Sequence, residues 1–350
     1  QMLYTQSEVD NIPGPPMDNL VVYRNRLMGT WSEQPTAVWY SKQVVPGTAL
    51  AFNDTFIQNI DPTNGAVTAL GWMDDKLAIF KRDVIFYMTG TGPAPDGTQN
   101  DFSTPIVINT NSGCITPKSI VTADDGIMYQ SAKGIYLLTR GLEDSYIGAG
   151  VEAYNGANVT GASMAPNTNE VRFALDTGVV LTWDYFLKQW STFTFDASPS
   201  IAGVTIYRNL FAYASAGQVW YEYPGTYRDH ATAYALRVKT AWIQLAGLQG
   251  YQRAYKVLVL GDYASAHTLN AKVYYDFDDA TAAQTTTFSP TSTKPYQYRL
   301  FLARQKCEAL QLELYDSAQA SAYEAFDLSA VALEIGVKQG LQKVTAARSA

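Results

Sequence analysis

Along the first two thirds of the chain, short apolar runs alternate with one- or two-residue breaks, and the arrangement repeats. In Asp83–Thr89, Val84, Phe86 and Met88 share one face of an extended segment, while Ile85 and Tyr87 take the other. Both faces are apolar, the pattern of a sheet covered on its two sides. The fullest phrase runs Val67-Thr-Ala-Leu-Gly-Trp-Met-Asp-Asp-Lys-Leu-Ala-Ile-Phe-Lys and then Asp83-Val-Ile-Phe-Tyr-Met-Thr. It reads as strand, tight turn, strand, second turn, strand. It returns from Lys118 to Arg140 and from Val204 to Tyr223, and in degenerate form from Asn19 and from Asn169.

The turn residues Asn25, Asp75, Asp125, Asn169 and Asn209 stand 50, 50, 44 and 40 positions apart. Repeats of about 40–50 residues, each with several short strands, are the signature of propeller blades. The turns carry residues that tolerate left-handed backbone, such as Asp124-Asp-Gly, Arg208-Asn and Ala132-Lys-Gly. The pattern therefore predicts an all-β chain that opens with a β-propeller of five readable blades. A sixth would be completed by the N-terminal segment or by sequence upstream, since Gln1–Asp18 reads as the tail of a blade. Trp72, Phe80, Phe86, Ile127, Tyr129, Ile135, Leu137, Phe211 and Tyr213 are expected in strands, largely buried between blades.

After Tyr227 the rhythm changes to longer strands, read at Tyr234–Leu245, Ala254–Tyr263, Leu269–Phe277, Tyr296–Ala303, Ala309–Tyr315 and Phe326–Val337. Leu310, Leu312 and Leu314 alternate with Gln311 and Glu313. Val331, Leu333, Ile335 and Val337 alternate with Ala332 and Glu334. Such alternation predicts an antiparallel β-sandwich with one solvated face per sheet. Ala280–Thr293 reads as a Thr/Ser-rich loop. The expected domains are a propeller over 1–229, a sandwich or platform over 230–338 and a flexible tail over 339–350.

Composition narrows the function. Aromatics make up 13% and charged residues 16%, a β-rich profile with a surface of uncharged polar groups. The net charge is −7 and no Lys/Arg run is present, which excludes a wrapping nucleic-acid binder. No apolar stretch approaches a membrane helix in length. Two cysteines, Cys114 and Cys307, make no disulfide framework and lack metal-ligand spacing.

A catalytic constellation is hard to assemble. The two histidines, His230 and His267, stand beside no nucleophile elbow. The carboxylate groups Asp74/Asp75, Asp124/Asp125 and Asp276/Asp278/Asp279 could serve a propeller glycosidase. The first two sit in hairpin turns, where Asp caps its own backbone. Thr122-Ala-Asp-Asp-Gly-Ile-Met-Tyr129 resembles the Asp-box turn of sialidases, a structural turn and not a catalytic one. Asp96–Asp101 offers oxygen ligands without the spacing of a calcium loop. No catalytic, cofactor-binding or metal residue is assigned.

The phrase Gly113–Leu138, with Leu245-Ala-Gly-Leu-Gln-Gly-Tyr-Gln-Arg and the ending Leu333-Glu-Ile-Gly-Val-Lys-Gln-Gly, resembles tail nozzle or hub proteins of short-tailed bacteriophages, the packaged-DNA stabilisation proteins of podoviruses. That resemblance implies a structural, non-enzymatic virion protein, assembled in the host cytoplasm into a homo-oligomeric ring, a hexamer. It implies a ring at the distal tail that retains the packaged genome and lets it pass at ejection. The neighbours it implies are a tail adaptor or portal-side ring protein and tail fibres or spikes, with DNA crossing the channel unread. An excess of carboxylates suits such a channel, because a neutral or acidic wall repels the duplex and leaves it mobile. The competing expectation, from fold analogy, is a propeller that binds or hydrolyses glycans.

Overall fold

The computed structural model describes residues 9–108, 110–194, 200–215, 217–223, 228–229, 232–233, 236–245, 252–263, 268–289, 295–316 and 326–337. The chain divides into two compact units, 1–222 and 223–350. Among the described residues the regular secondary structure is nearly all strand. Two short 3-10 helices, Pro117–Ser119 and Gly148–Tyr154, interrupt it.

The first unit is a succession of antiparallel meander sheets, the blades of a β-propeller. Blade 1 is β1 (Asp18–Tyr23), β2 (Arg26–Trp31), β3 (Gln34–Tyr40) and β4 (Ile57–Asn59). Blade 2 is β5 (Val67–Met73), β6 (Lys76–Lys81), β7 (Ile85–Thr89) and β8 (Ile106–Ile108). Blade 3 is β9 (Val121–Ala123), β10 (Gly126–Ser131), β11 (Gly134–Thr139) and β12 (Asp144–Tyr146). Blade 4 is β13 (Val159–Ala165), β14 (Glu170–Leu175), β15 (Val179–Asp184) and β16 (Gln189–Thr194). Blade 5 is β17 (Gly203–Tyr207), β18 (Leu210–Ser215) and β19 (Gln218–Tyr221). The first strands β1, β5, β9, β13 and β17 are neighbours in that order and form the inner row.

A single register runs through all five blades. Counting from the first turn of each blade, the second and fourth residues of its second strand face the preceding blade. These are Leu77 and Ile79, Ile127 and Tyr129, Val171 and Phe173, and Phe211 and Tyr213. The third and fifth face the next blade, as Ala78 and Phe80 do. Strand pleating sends neighbours to opposite faces, so each blade contributes to two cores, one on each side. The turn residues expected from the repeat sit where they should. Arg24 and Asn25 have φ 48° and 58°, and Arg208 and Asn209 have φ 50° and 63°, the doubly left-handed geometry of a tight hairpin.

The second unit packs two antiparallel sheets around one core. Its strands are β20 (Arg228–Asp229), β21 (Thr232–Ala233), β22 (Arg237–Lys239), β23 (Gln252–Tyr263), β24 (Leu269–Tyr275), β25 (Gln284–Phe288), β26 (Pro295–Phe301), β27 (Lys306–Cys307), β28 (Leu310–Asp316) and β29 (Phe326–Val337). One sheet runs β22-β28-β24-β25; in the other, β23 pairs with β26, β27 and β29. Ala271, Val273, Leu310, Leu312 and Leu314 of the first meet Ala254, Val257, Val259 and Leu300 of the second. This is the sandwich that the alternation predicted.

Four expectations need correction. Trp72 lies in β5 but is 46% exposed, because a surface groove opens over it beside β1 and β9. Within Ala280–Thr293, Gln284–Phe288 forms β25, as its β-branched threonines pair along β24. Gln311 and Glu313 are 7% and 3% exposed rather than solvated, since the Thr240 carbonyl and the Tyr274 hydroxyl bond to them. The N-terminal residues from Val9 form no blade strand; Ile12 bridges to Phe52 and Val9 N–H donates to Pro95 O at 3.1 Å.

Candidate functional site

The inner row frames a surface groove. Asp18 and Asn19 of β1, Gly71 and Trp72 of β5, and Lys118 and Thr122 beside and within β9 line a groove of about 800 Å³. Trp72 is held from behind, its carbonyl accepting a 3.0 Å bond from Thr122 Oγ1. Asn19, at φ 51°, donates from Nδ2 to Thr30 Oγ1 at 3.0 Å. A second depression of about 500 Å³, lined by Arg24, Asn25, Gln43, Asp74 and Thr91, shares Trp72 with the first. The larger groove offers an aromatic face with one carboxylate, one ammonium and neutral polar groups at its rim. Among its lining residues Asp18 is the one carboxylate, whereas glycoside hydrolysis by acid and base needs two.

The turn residues act as ties between blades, through the carboxylates of Asp74 and Asp125 and through backbone carbonyls elsewhere. Tyr23 of blade 1 donates its hydroxyl to Asp75 O. Arg140 of blade 3 pairs with Asp74 of blade 2 and donates from Nε to Asp124 O at 2.7 Å. Lys188 of blade 4 lies 3.8 Å from Asp125 of blade 3. Asn167 of blade 4 donates to Asn209 O of blade 5 at 3.2 Å. Every junction between successive blades is thus joined at one rim by the residues that marked the repeat.

The other candidates are similarly occupied. Asp96 accepts from Thr98, and Asp101 from Thr91 and Gly92, so both close loops on themselves. Asp276 accepts from Glu308 N–H at 2.7 Å and pairs with Arg304. Asp278 caps Ala280, and Asp279 lies 3.6 Å from Lys239. Among the described residues no three His, Cys, Asp or Glu side chains cluster as a metal site. Cys114 is buried, donating to Thr116 O at 3.2 Å, and burial pushes its thiol up to about 11. Cys307 is buried as well. His230 and His267 lie outside the described residues.

Sequence reasoning missed the buried polar groups between blades. Arg26, 1% exposed, donates to the carbonyls of Ser41 and Thr91 at 2.9 Å and to that of Pro93, closing the loops of blades 1 and 2. Arg172 lies between the rings of Phe193 and Phe211, 4.9 and 4.0 Å from their centroids, and pairs with Glu170 and Glu222. Burial opposes its charge, but Tyr213 and Glu222 outweigh this and hold the guanidinium more firmly protonated. Ser112 Oγ lies 2.6 Å from the Tyr129 hydroxyl and donates to Asp144 Oδ2 at 2.7 Å. The available signal was a lone cation inside an apolar strand, as in Val171-Arg-Phe-Ala-Leu. These groups are shut away from solvent and hold the blades together.

The fold and groove define an all-β propeller scaffold followed by a β-sandwich. No protein-family model matches the chain, and no curated protein does. Solved propellers are similar in outline. BamB from Moraxella catarrhalis has a TM-score of 0.37 and 11% identity over 57% of this chain and 54% of its own, so the chain spans about half of BamB. Sqt1 from Saccharomyces cerevisiae has a TM-score of 0.36 and 11% identity, over 56% and 67% of the two chains. The WD40 propeller domain of Doa1 has a TM-score of 0.38 and 11% identity, over 90% and 98%.

Proposed function

We propose that this chain is a structural subunit of a short-tailed phage tail, one protomer of the nozzle or hub ring through which the genome leaves. The observation that carries the reading is the pair of open end faces on the blade stack. On blade 1, Leu20 and Val22 are 56% and 59% exposed. Val22 pairs with Leu27, on the face turned away from the blade 1–blade 2 core. On blade 5, Val219 is 71% exposed and Tyr207 50%, again on the face turned from the neighbouring core.

At the internal junctions the equivalent positions are mostly covered, Leu70 and Ile85 being 7% and 0% exposed, with Trp72 the exception at 46%. Exposed apolar surface of this extent marks a site that other polypeptide covers, as neighbouring subunits of a ring do. The carboxylates drawn into interblade ties, the net charge of −7 and the sequence resemblance support the same reading. In it the ring joins an adaptor or portal-side ring above and carries fibres or spikes, with DNA sliding past unread.

Electron microscopy of the assembled particle tests it. A ring of this chain on the DNA path, with a lumen free of its Lys and Arg clusters, is the expected result. A particle-free monomer, or a position away from the DNA, would refute it.

A further inference from the structure

We infer that the groove on the inner row is a binding site for a neutral oligosaccharide, with Trp72 as the stacking platform. Large aromatics on propeller strands pack well between blades, as Phe80, Phe86, Tyr129 and Phe173 do at 5% exposed or less, whereas Phe193, Tyr207, Tyr221 and Trp72 are left 43–53% exposed. Of these exposed aromatics Trp72, at 46%, lines a groove of about 800 Å³. Its strand is fixed on both sides, by β6 through the Leu77 pairing and by Thr122 through its carbonyl, so the indole is displayed on a rigid element.

Sugar rings present one apolar face of C–H groups and an equatorial belt of hydroxyls. An exposed indole answers the first, being broad, flat and rich in π density. Asp18, Asn19, Lys118 and Thr122 around it answer the second, offering both acceptors and donors. The net charge of −7 disfavours acidic sugars. One lining carboxylate leaves the bound glycosidic bond without the acid–base pair that hydrolysis needs, so the site holds its ligand uncleaved. This inference rests on the groove, whose lining includes Leu20, and is tested on the isolated chain, where no neighbouring subunit covers that residue.

The test is saturation-transfer NMR of the full chain with maltohexaose, cellohexaose, laminarihexaose and chitohexaose. At least one should bind, and Trp72→Ala should weaken it by about tenfold or more, as loss of an aromatic anchor does. Trp72→Tyr should restore part of the binding, and Asp18→Asn should weaken it with an unchanged melting midpoint. Phe186→Ala, at an exposed turn that lines neither depression, should have no effect. Binding by none of the four sugars, or binding that survives Trp72→Ala, would overturn the inference. Either result leaves the ring reading to be judged by microscopy.

Discussion

Thr68 and Cys114 are joined across two blades: Thr68 Oγ1 donates to the Cys114 carbonyl at 2.6 Å. Two blades later Thr160 repeats the bond to the Ile201 carbonyl, also at 2.6 Å. Each threonine follows the valine that begins its inner strand, at an irregularity in the pairing with the second strand. The extra residue of a bulge re-aims its side chain. Here that aims a hydroxyl at the linker entering the next blade, and each hydroxyl also lies 3.2 Å from a carbonyl of its own ladder, Phe80 or Ala174. Replacing either Thr by Val keeps the shape and removes the donor. Each change should cost about 1–2 kcal/mol in urea denaturation. The two sites serve separate junctions, so the double variant should show their sum.

Phe86 tests the packing itself. It is 5% exposed in the core shared by blades 1 and 2. Phe86→Ala should cost about 3–5 kcal/mol through the cavity it leaves, seen as a sharply lower melting midpoint. An unchanged midpoint would contradict the two-sided blade register.

Arg172 tests the junction of blades 4 and 5. Arg172→Ala would remove the filling between Phe193 and Phe211 and leave the Tyr213 hydroxyl without the 2.5 Å bond it accepts. The expected loss is about 3 kcal/mol. Lysine should recover part of this, since it keeps the charge without the planar fork that reaches Glu170 and Tyr213 together. Full recovery with Lys would show that charge alone matters.

Glu313 gives the second unit a pH dependence. The Tyr274 hydroxyl donates to it at 2.7 Å and Arg237 at 2.8 Å, which lowers its carboxyl below the usual range. A lowered folded value means the stabilisation is complete above the unfolded carboxylate value of about 4.3 and fades as pH falls through the folded one. Tyr274 shifts the other way, up to about 12, mainly because it donates to Glu313. Its contribution is complete below its unfolded value of about 10 and lost as pH rises through about 12. Glu313→Gln should flatten both limbs in urea midpoints taken across pH.

The repeat, the strands and the turn residues could be read from sequence because they follow from local chemistry. Pleating makes Val84, Phe86 and Met88 share a face in any extended segment, and Asn25 or Asn209 reports a left-handed turn whatever surrounds it. What lies across a junction is set by residues far apart in the chain. Nothing near Arg172 announces Phe211 and Glu222, and nothing near Asp74 announces Arg140. Gln311 and Glu313 alternate with leucines like solvated residues, yet Tyr274 and Thr240 from other segments enclose them. Trp72 sits in the same apolar phrase as Leu70 and looks equally buried in sequence. The groove that opens among β1, β5 and β9 is what exposes it. Pattern along the chain determined the blades, and the three-dimensional meeting of blades decided which side chains were enclosed and which were left to face a ligand.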